Sequence, residues 1–171
     1  MRFLLLMFAG LLVLAACDSG YETQGTGTSA SGLSTSVYRI RGGDMSKIQY
    51  RMLDSVNALR QAAGAAPVQL NAKLNAASAT HSRDMSVQNR PWHFGSDGSS
   101  PIDRVRRAGY EGTMLGENIS ETYETELETL AAWMEEPGTR AVLLDKTATD
   151  MGFAWYQEAN GKIWWTLLMG G

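Results

Sequence analysis

The spacing of apolar positions along the chain changes character several times, and each change predicts an element. Phe3 to Val13 is an unbroken apolar run of about 11 residues, too short to span a bilayer as a final anchor. Residues 18–36 are rich in Gly, Ser and Thr with little apolar material, which predicts a flexible coil. Val37-Tyr38-Arg39-Ile40-Arg41 alternates and reads as a short strand or an ordered lead-in. From Met45 the period becomes helical: Ile48, Met52, Val56, Leu59 and Ala63 form one stripe, and Gly64 with Pro67 stops it. Asn71 caps a second helix whose inward stripe is Leu74, Ala77, His81 and Met85.

After a loop over Arg90–Ser100, Ser100-Pro101-Ile102-Asp103 places Ser at the N-cap, Pro at the first helical position and an acid at the third. A short third helix follows and ends at Gly109. Tyr110–Ser120 reads as loop with a short strand at Asn118-Ile119-Ser120. Glu121–Glu135 predicts a helix with Leu127, Leu130, Ala131 and Met134 inward, its early Glu residues suiting the positive dipole end, and Pro137 closes it. Met151–Tyr156 alternates, Asn160-Gly161 supplies a hairpin turn, and Lys162–Met169 is the second strand. Helices followed by an antiparallel hairpin give an α+β class rather than a nucleotide-binding α/β fold.

Composition refines this picture at the N-terminus. The sole cysteine of the 171 residues stands in Leu14-Ala15-Ala16-Cys17, behind Arg2 and the apolar run. That arrangement looks like a bacterial lipobox, so residues 1–16 read as a signal peptide and residues 17–36 as a lipidated Cys17 plus flexible linker. Residues 37–171 are then a single domain tethered to a membrane of the bacterial cell envelope, on the far side from the cytoplasm. Asp18 resembles the signal that retains some lipoproteins in the inner membrane. An ordinary secretory signal with an incidental Cys is the rival reading. With its cysteine used for lipid, the domain has no disulfide and relies on its core; a chain of this size buries roughly 70% of its unfolded surface. Net charge is −3, with acid concentrated between Glu111 and Glu136 and base scattered, which excludes a nucleic-acid footprint.

Candidate chemistry is sparse. His93 in Pro91-Trp92-His93-Phe94-Gly95 and Glu117 in Gly116-Glu117-Asn118-Ile119 form a pair able to do acid/base work if they meet near neutral pKa. The same pair could instead pin two loops, or bind a ligand, and there is no Gly-x-Ser-x-Gly elbow. His81 on an apolar stripe reads as a hydrogen-bonded core imidazole rather than a ligand. Arg104, Arg106 and Arg107 read as a solvated or salt-bridged face rather than an anion site.

The succession Trp92-His93-Phe94-Gly95-Ser96-Asp97-Gly98, Arg104 with Ala108-Gly109-Tyr110, Gly116-Glu117-Asn118-Ile119, Trp133-Met134-x-x-Pro137-Gly138-x-Arg140, Met151-Gly152-Phe153 and Trp165 resembles a known family. It is similar to the bacterial branch of the cysteine-rich secretory, antigen and pathogenesis-related (CAP or SCP-like) proteins, from about Met45 to Met169. The resemblance implies an α-β-α sandwich with a small antiparallel sheet between helical layers. It also implies a cleft lined by two histidines and two acids, able in some members to hold a divalent metal such as zinc or calcium. Carried over, these are His93, Glu117 and Glu136, three residues after Trp133. The second His belongs in Pro-Gly-His-Arg, where this chain has Thr139. Losing an imidazole removes a favoured zinc ligand. Asn118 reads as a loop holder through side-chain to backbone bonds. The expected function is a binding module for an envelope peptide, glycan or lipid. The alternative is a peptidase-like hydrolase using His93 and Glu117, with or without metal. Since some relatives carry sterols or fatty acids, a lipid carrier is a third reading.

Overall fold

The computed structural model describes residues 37–122 and 124–171. The expected signal peptide, Cys17 and linker lie outside the described residues. Among the described residues no helix is long and apolar enough to cross a membrane.

A short 3-10 turn, Gly42–Asp44, leads into α1, Met45–Ala62. Ile48, Met52 and Val56 are buried as the period requires, but the fourth buried position is Arg60 instead of Ala63. Ala63 lies just past the helix as its C-cap. β1, Gln69–Leu70, is a two-residue strand, too short to carry a period. α2, Ala72–Gln88, begins at Asn71, whose side chain accepts from the Lys73 and Leu74 amides at 3.0 and 3.3 Å. It buries Leu74, Ala77, His81 and Met85, together with Ser78 and Ser82. α3, Pro101–Arg107, carries the full capping box between Ser100 and Asp103.

Three expectations are corrected in the middle of the chain. β2 runs over Met114–Thr122, well beyond Asn118–Ser120, because nearly its whole length pairs with β4. α4 therefore starts later, at Glu126–Glu135, capped by Thr125 with Glu128. Its buried face is Glu126, Thr129, Leu130 and Trp133, whereas Leu127 and Ala131 face solvent. Burial of Trp133 decides the rotation: the indole offers more apolar area than Leu127. Pro137 does end α4, and it also opens α5, Pro137–Leu143, at its first position.

β3, Asp150–Gln157, and β4, Ile163–Gly170, form the expected hairpin, with Gly161 in the turn at φ 103°. Residues 37–41 form no strand. Instead the Gln157 amide holds them, donating to the Tyr38 carbonyl at 2.8 Å and accepting from the Ile40 amide at 3.0 Å.

The sheet order is β1-β3-β4-β2, antiparallel except for the parallel β1–β3 pair. Strand alternation gives each face its own core. Met151, Phe153, Trp165, Leu167 and Met169 meet α1, α4 and α5 through Ile48, Met52, Val56, Leu130, Trp133 and Leu143. Phe153 and Trp165 stack at 5.6 Å between ring centres. On the other face Leu168 packs with Leu74, Ala77, Val105 and Tyr110 of the α2–α3 layer. All eight β4 residues are buried, as expected of a central strand covered on both sides. The result is the α+β sandwich with helical layers on both faces of the sheet. Gly152 sets the closeness of one layer: a Cβ there would lie 2.4 Å from the Leu74 carbonyl carbon, so α2 rests on the bare β3 backbone. That close approach lays α2 across β3 and β4, with His81 reaching toward Glu117 on the neighbouring β2.

Candidate functional site

Gly116, Glu117 and Asn118 are consecutive strand residues, so they serve opposite faces of the sheet. Gly116 is not a turn residue. A Cβ there would meet the Val142 side chain at 2.6 Å, so the missing side chain lets α5 close on β2. Asn118 turns to the same layer, and its Nδ2 donates to the Thr139 carbonyl at 2.9 Å. Thr139 Oγ1 in turn donates to the Trp133 carbonyl at 2.6 Å. These contacts seat the start of α5.

Glu117 pairs with Leu168 and turns to the α2–α3 layer. Its side chain is only 1% exposed. Arg104 Nη2 donates to Oε2 at 2.6 Å and His93 Nδ1 donates to Oε1 at 2.8 Å. The same guanidinium also donates from Nη1 to the His93 carbonyl at 2.8 Å and the Ser99 carbonyl at 3.2 Å. One buried acid and one buried base thus fasten the loop between α2 and α3 to the sheet. Because the carboxylate accepts from Nδ1, the neutral His93 ring carries its lone pair on Nε2. The imidazole side chain is 52% exposed.

A second imidazole lies beneath. His81 is fully buried, with Nε2 2.9 Å from the Trp92 carbonyl and 3.8 Å from Glu117 Oε1. The carbonyl can only accept, so Nε2 holds the proton and Nδ1 is left buried without a partner. Burial lowers the His81 pKa; the Glu117 charge opposes the shift and Arg104 adds to it. The folded protein therefore binds fewer protons here than the unfolded chain. Stability from this group is complete above the ordinary histidine value of about 6.5 and falls as pH drops below it. Wild type is expected to lose denaturation midpoint between about pH 7.5 and 5 more steeply than His81→Asn; urea titrations at the two pH values check this.

The rest of the loop is self-braced. Asp84 accepts from the Ser96 amide and hydroxyl at 2.7 and 2.6 Å and from Gln88 Nε2 at 2.9 Å. Trp92 donates to Gln88 at 2.7 Å, with the Arg90 guanidinium 3.8 Å above its ring. Phe94 is half exposed beside His93.

The structure thus brings His93 and Glu117 together but does not bring Glu136 to them. Glu136 is exposed at the N-cap of α5 and makes no cap bond. A divalent metal does not fit the residues present. Glu117 already has Arg104 as its counter-charge, His93 Nδ1 is committed to Glu117, and the buried His81 nitrogen near Glu117 faces a carbonyl. Thr139 offers a hydroxyl that is itself hydrogen-bonded. Among the described residues no group of three or more His, Cys, Asp or Glu side chains is placed to hold a metal ion. Arg104 is the functional residue missed by sequence reasoning. Of the solvated and salt-bridged alternatives it takes the second, buried against Glu117, and the available signal was the Ser100–Asp103 cap, which fixes the first turn of α3 against the loop.

Comparison with known proteins agrees with this architecture. Residues 53–169 match the family profile described as "CAP: Cysteine-rich secretory protein family". A Bacillus subtilis (strain 168) protein, YkwD, itself described as uncharacterized, is 29% identical over 120 residues. That match covers 70% of this chain but 46% of the relative, so the chain spans under half of that relative's length. An extracellular protein containing a SCP domain from Bacillus anthracis str. Ames superposes with a TM-score of 0.67 at 20% identity, covering 78% of this chain and 44% of that one. An outer surface protein from Borrelia burgdorferi gives 0.63 at 14% identity over 78% of this chain and 96% of its own. The two structures share the fold, and the family match covers most of the chain. With its helical layers, its Gly-Glu-Asn strand and its His93–Glu117 contact, the chain belongs to the cysteine-rich secretory protein (CAP) family.

Proposed function

We propose that the chain is a lipid-tethered binding domain of the bacterial cell envelope, anchored through Cys17, that engages a peptide or glycan through the exposed edge of His93. The lipobox-like segment and a fold shared with an extracellular protein and an outer surface protein support the location. The observation that carries the binding reading is that Glu117 is buried and already paired with Arg104 at 2.6 Å. A carboxylate so committed is not free to attack, to deprotonate water or to ligate metal. What it does is orient His93, leaving Nε2 outward beside the half-exposed Phe94. A polar edge next to an aromatic face suits a peptide or sugar better than a lipid chain.

A second reading is a hydrolase. The 2.8 Å contact that fixes His93 Nδ1 is also how a carboxylate prepares an imidazole general base. The two readings separate cleanly. Titration of envelope-derived peptides and oligosaccharides, followed by NMR, is expected to give saturable binding that weakens about tenfold in His93→Ala with the fold intact. Turnover of a peptide or ester that disappears in His93→Ala would instead establish the hydrolase.

A further inference from the structure

β3 pairs with β4 along its whole length, but with β1 only at Asp150 and Met151. Beyond Met151 its second edge is left without a strand, and the register shows which groups stand on it. Main-chain groups alternate between the two sides of a strand. The Met151 carbonyl accepts from the Asn71 amide at 2.9 Å, so the odd-numbered residues of β3 face away from β4. At Phe153 two side-chain amides take the place of a strand. Its N–H donates to Asn75 Oδ1 at 2.8 Å, and its carbonyl accepts from Gln49 Nε2 at 2.9 Å. Trp155 is next in the row. Among the described residues nothing is hydrogen-bonded to its edge-facing N–H or carbonyl. At Gln157 the lead-in takes over, held at Tyr38 and Ile40 by the side-chain amide.

A groove of about 270 Å³ lies over this gap. Met45 and Gln49 of α1 wall it on one side, Asn75 and Ala79 of α2 on the other, and Trp155 lies at its floor. No charged side chain lines it, and Met45 is 57% exposed. A free strand edge is a template for another chain, and proteins ordinarily blunt one with charge, proline or a covering element. Here the edge stays open between two helical layers.

We infer that this groove takes the C-terminal end of a short extended peptide, added to β3 in line with β1 and parallel to it. The β1–β3 pair supplies the pattern. Leu70 stands opposite Met151 and packs its side chain into the α1 layer. The peptide residue opposite Trp155 turns to that same layer, beside Met45, and is therefore apolar. The residue before it accepts from the Trp155 N–H, and the residue after it donates to the Trp155 carbonyl. Direction follows from charge. α2 runs the same way as β3, from Leu74 against Gly152 to Ser86, whose hydroxyl donates to Glu158 at 2.9 Å. A parallel peptide thus ends toward Arg83, one turn beyond Ala79, which is exposed and among the described residues in no ion pair. Arg39 lies at the same end, donating to the Glu158 carbonyl at 3.4 Å. A free carboxylate there meets positive charge. The site uses neither His93, Glu117 nor the anchor.

The test is a ¹⁵N–¹H NMR titration of the full chain with N-acetyl-Ser-Leu-Gly up to about 20 mM, a range that reveals dissociation constants near about 1 mM. Saturable shifts are expected at the amides of Met45, Gln49, Ala79 and Trp155, with hydrogen exchange at the Trp155 amide slowed about tenfold near saturation. N-acetyl-Ser-Leu-sarcosine, which has N–CH₃ in place of the N–H that meets the Trp155 carbonyl, is expected to bind about tenfold more weakly. The C-terminal amide of the glycine peptide is expected to bind about threefold more weakly than the acid. Ala79→Leu, at an exposed helix position, fills the groove and is expected to abolish the shifts with circular dichroism unchanged. Absence of saturable shifts, unchanged Trp155 exchange, equal affinity for the sarcosine or amide peptide, or full affinity in Ala79→Leu would each overturn the inference. So would decanoate, an apolar chain without amides, if it shifted the same signals as strongly. His93→Ala keeps its affinity for the peptide if the groove is the site; loss there would place the peptide at the His93 edge and refute it.

Discussion

Glu117→Ala is expected to cost about 3–5 kcal/mol of stability, a fall in melting temperature of roughly 10–20 °C for a domain of this size. The reason lies in what the substitution leaves behind. Arg104, only 6% exposed, would stay buried with its 2.6 Å partner gone, and His93 Nδ1 would lose its 2.8 Å acceptor. The Trp92–Ser99 loop would keep its bonds to α2 through His81, Asp84 and Gln88 and its carbonyl bonds to Arg104, but would lose its direct tie to the sheet. Removing both charges is a different experiment. In Glu117→Ala/Arg104→Met no unpaired ion remains, and the double variant is expected to recover most of the loss, giving a large coupling energy in the thermodynamic cycle. Urea unfolding of the four proteins reads this directly. Independent, additive losses would show that the pair is not what fastens the loop.

Arg60→Met is the second large effect, about 4 kcal/mol. Arg60 is fully buried on the apolar side of α1, yet no carboxylate bonds it. Its guanidinium donates to four main-chain carbonyls: Ala66 at 2.8 Å, Leu143 and Asp145 at 2.9 Å, and Ala148 at 3.1 Å. These belong to the exit from α1, the end of α5 and the approach to β3, so one side chain ties together the α1–β1 and α5–β3 connections. Burial lowers its pKa, with Asp145 opposing, but a guanidinium stays protonated at any working pH. Methionine fits the apolar surroundings and abandons the carbonyls. Lysine retains charge but cannot reach four acceptors from one nitrogen, so Arg60→Lys is expected to recover only part of the loss. Denaturation midpoints rank the three proteins, and amide exchange at Thr147 and Ala148 should rise first in Arg60→Met.

The elements that could be read from the chain are those whose signals are local. Asn71, Ser100 and Asp103 announce helix starts through their own side chains, and the alternation of Met151–Tyr156 is visible without its partner. What could not be read is what a distant partner decides. β2 carries Glu117 and Asn118 inward, polar residues that break any apolar alternation, and only pairing with β4 makes the segment a strand. The phase of α4 follows from Trp133 finding its place in the core, and α5 is a seven-residue helix whose apolar side is small. At the site, the motif named His93 and Glu117 as partners. It could not name Arg104 or place His81 beneath them, because both reach Glu117 from α2 and α3 through packing set by Gly152 and the alanines of α2.

The Gln157 amide clamp on Tyr38 and Ile40 has a mechanical meaning. Any tension along the chain preceding Val37 arrives first at these two bonds and at the Tyr38 hydroxyl and Arg39 guanidinium, which donate to Glu126 at 3.3 Å and to the Glu158 carbonyl at 3.4 Å. They bear on a lead-in that belongs to no strand, so they yield before the sheet does. Releasing residues 37–41 lengthens the free chain by about 17 Å at roughly 3.4 Å per residue, while α1 and the sheet stay folded. A pull on the N-terminus thus takes its first extension from a segment remote from His93 and Glu117, and under the tether proposed at Cys17 the domain can be drawn away from its anchor point with that contact intact.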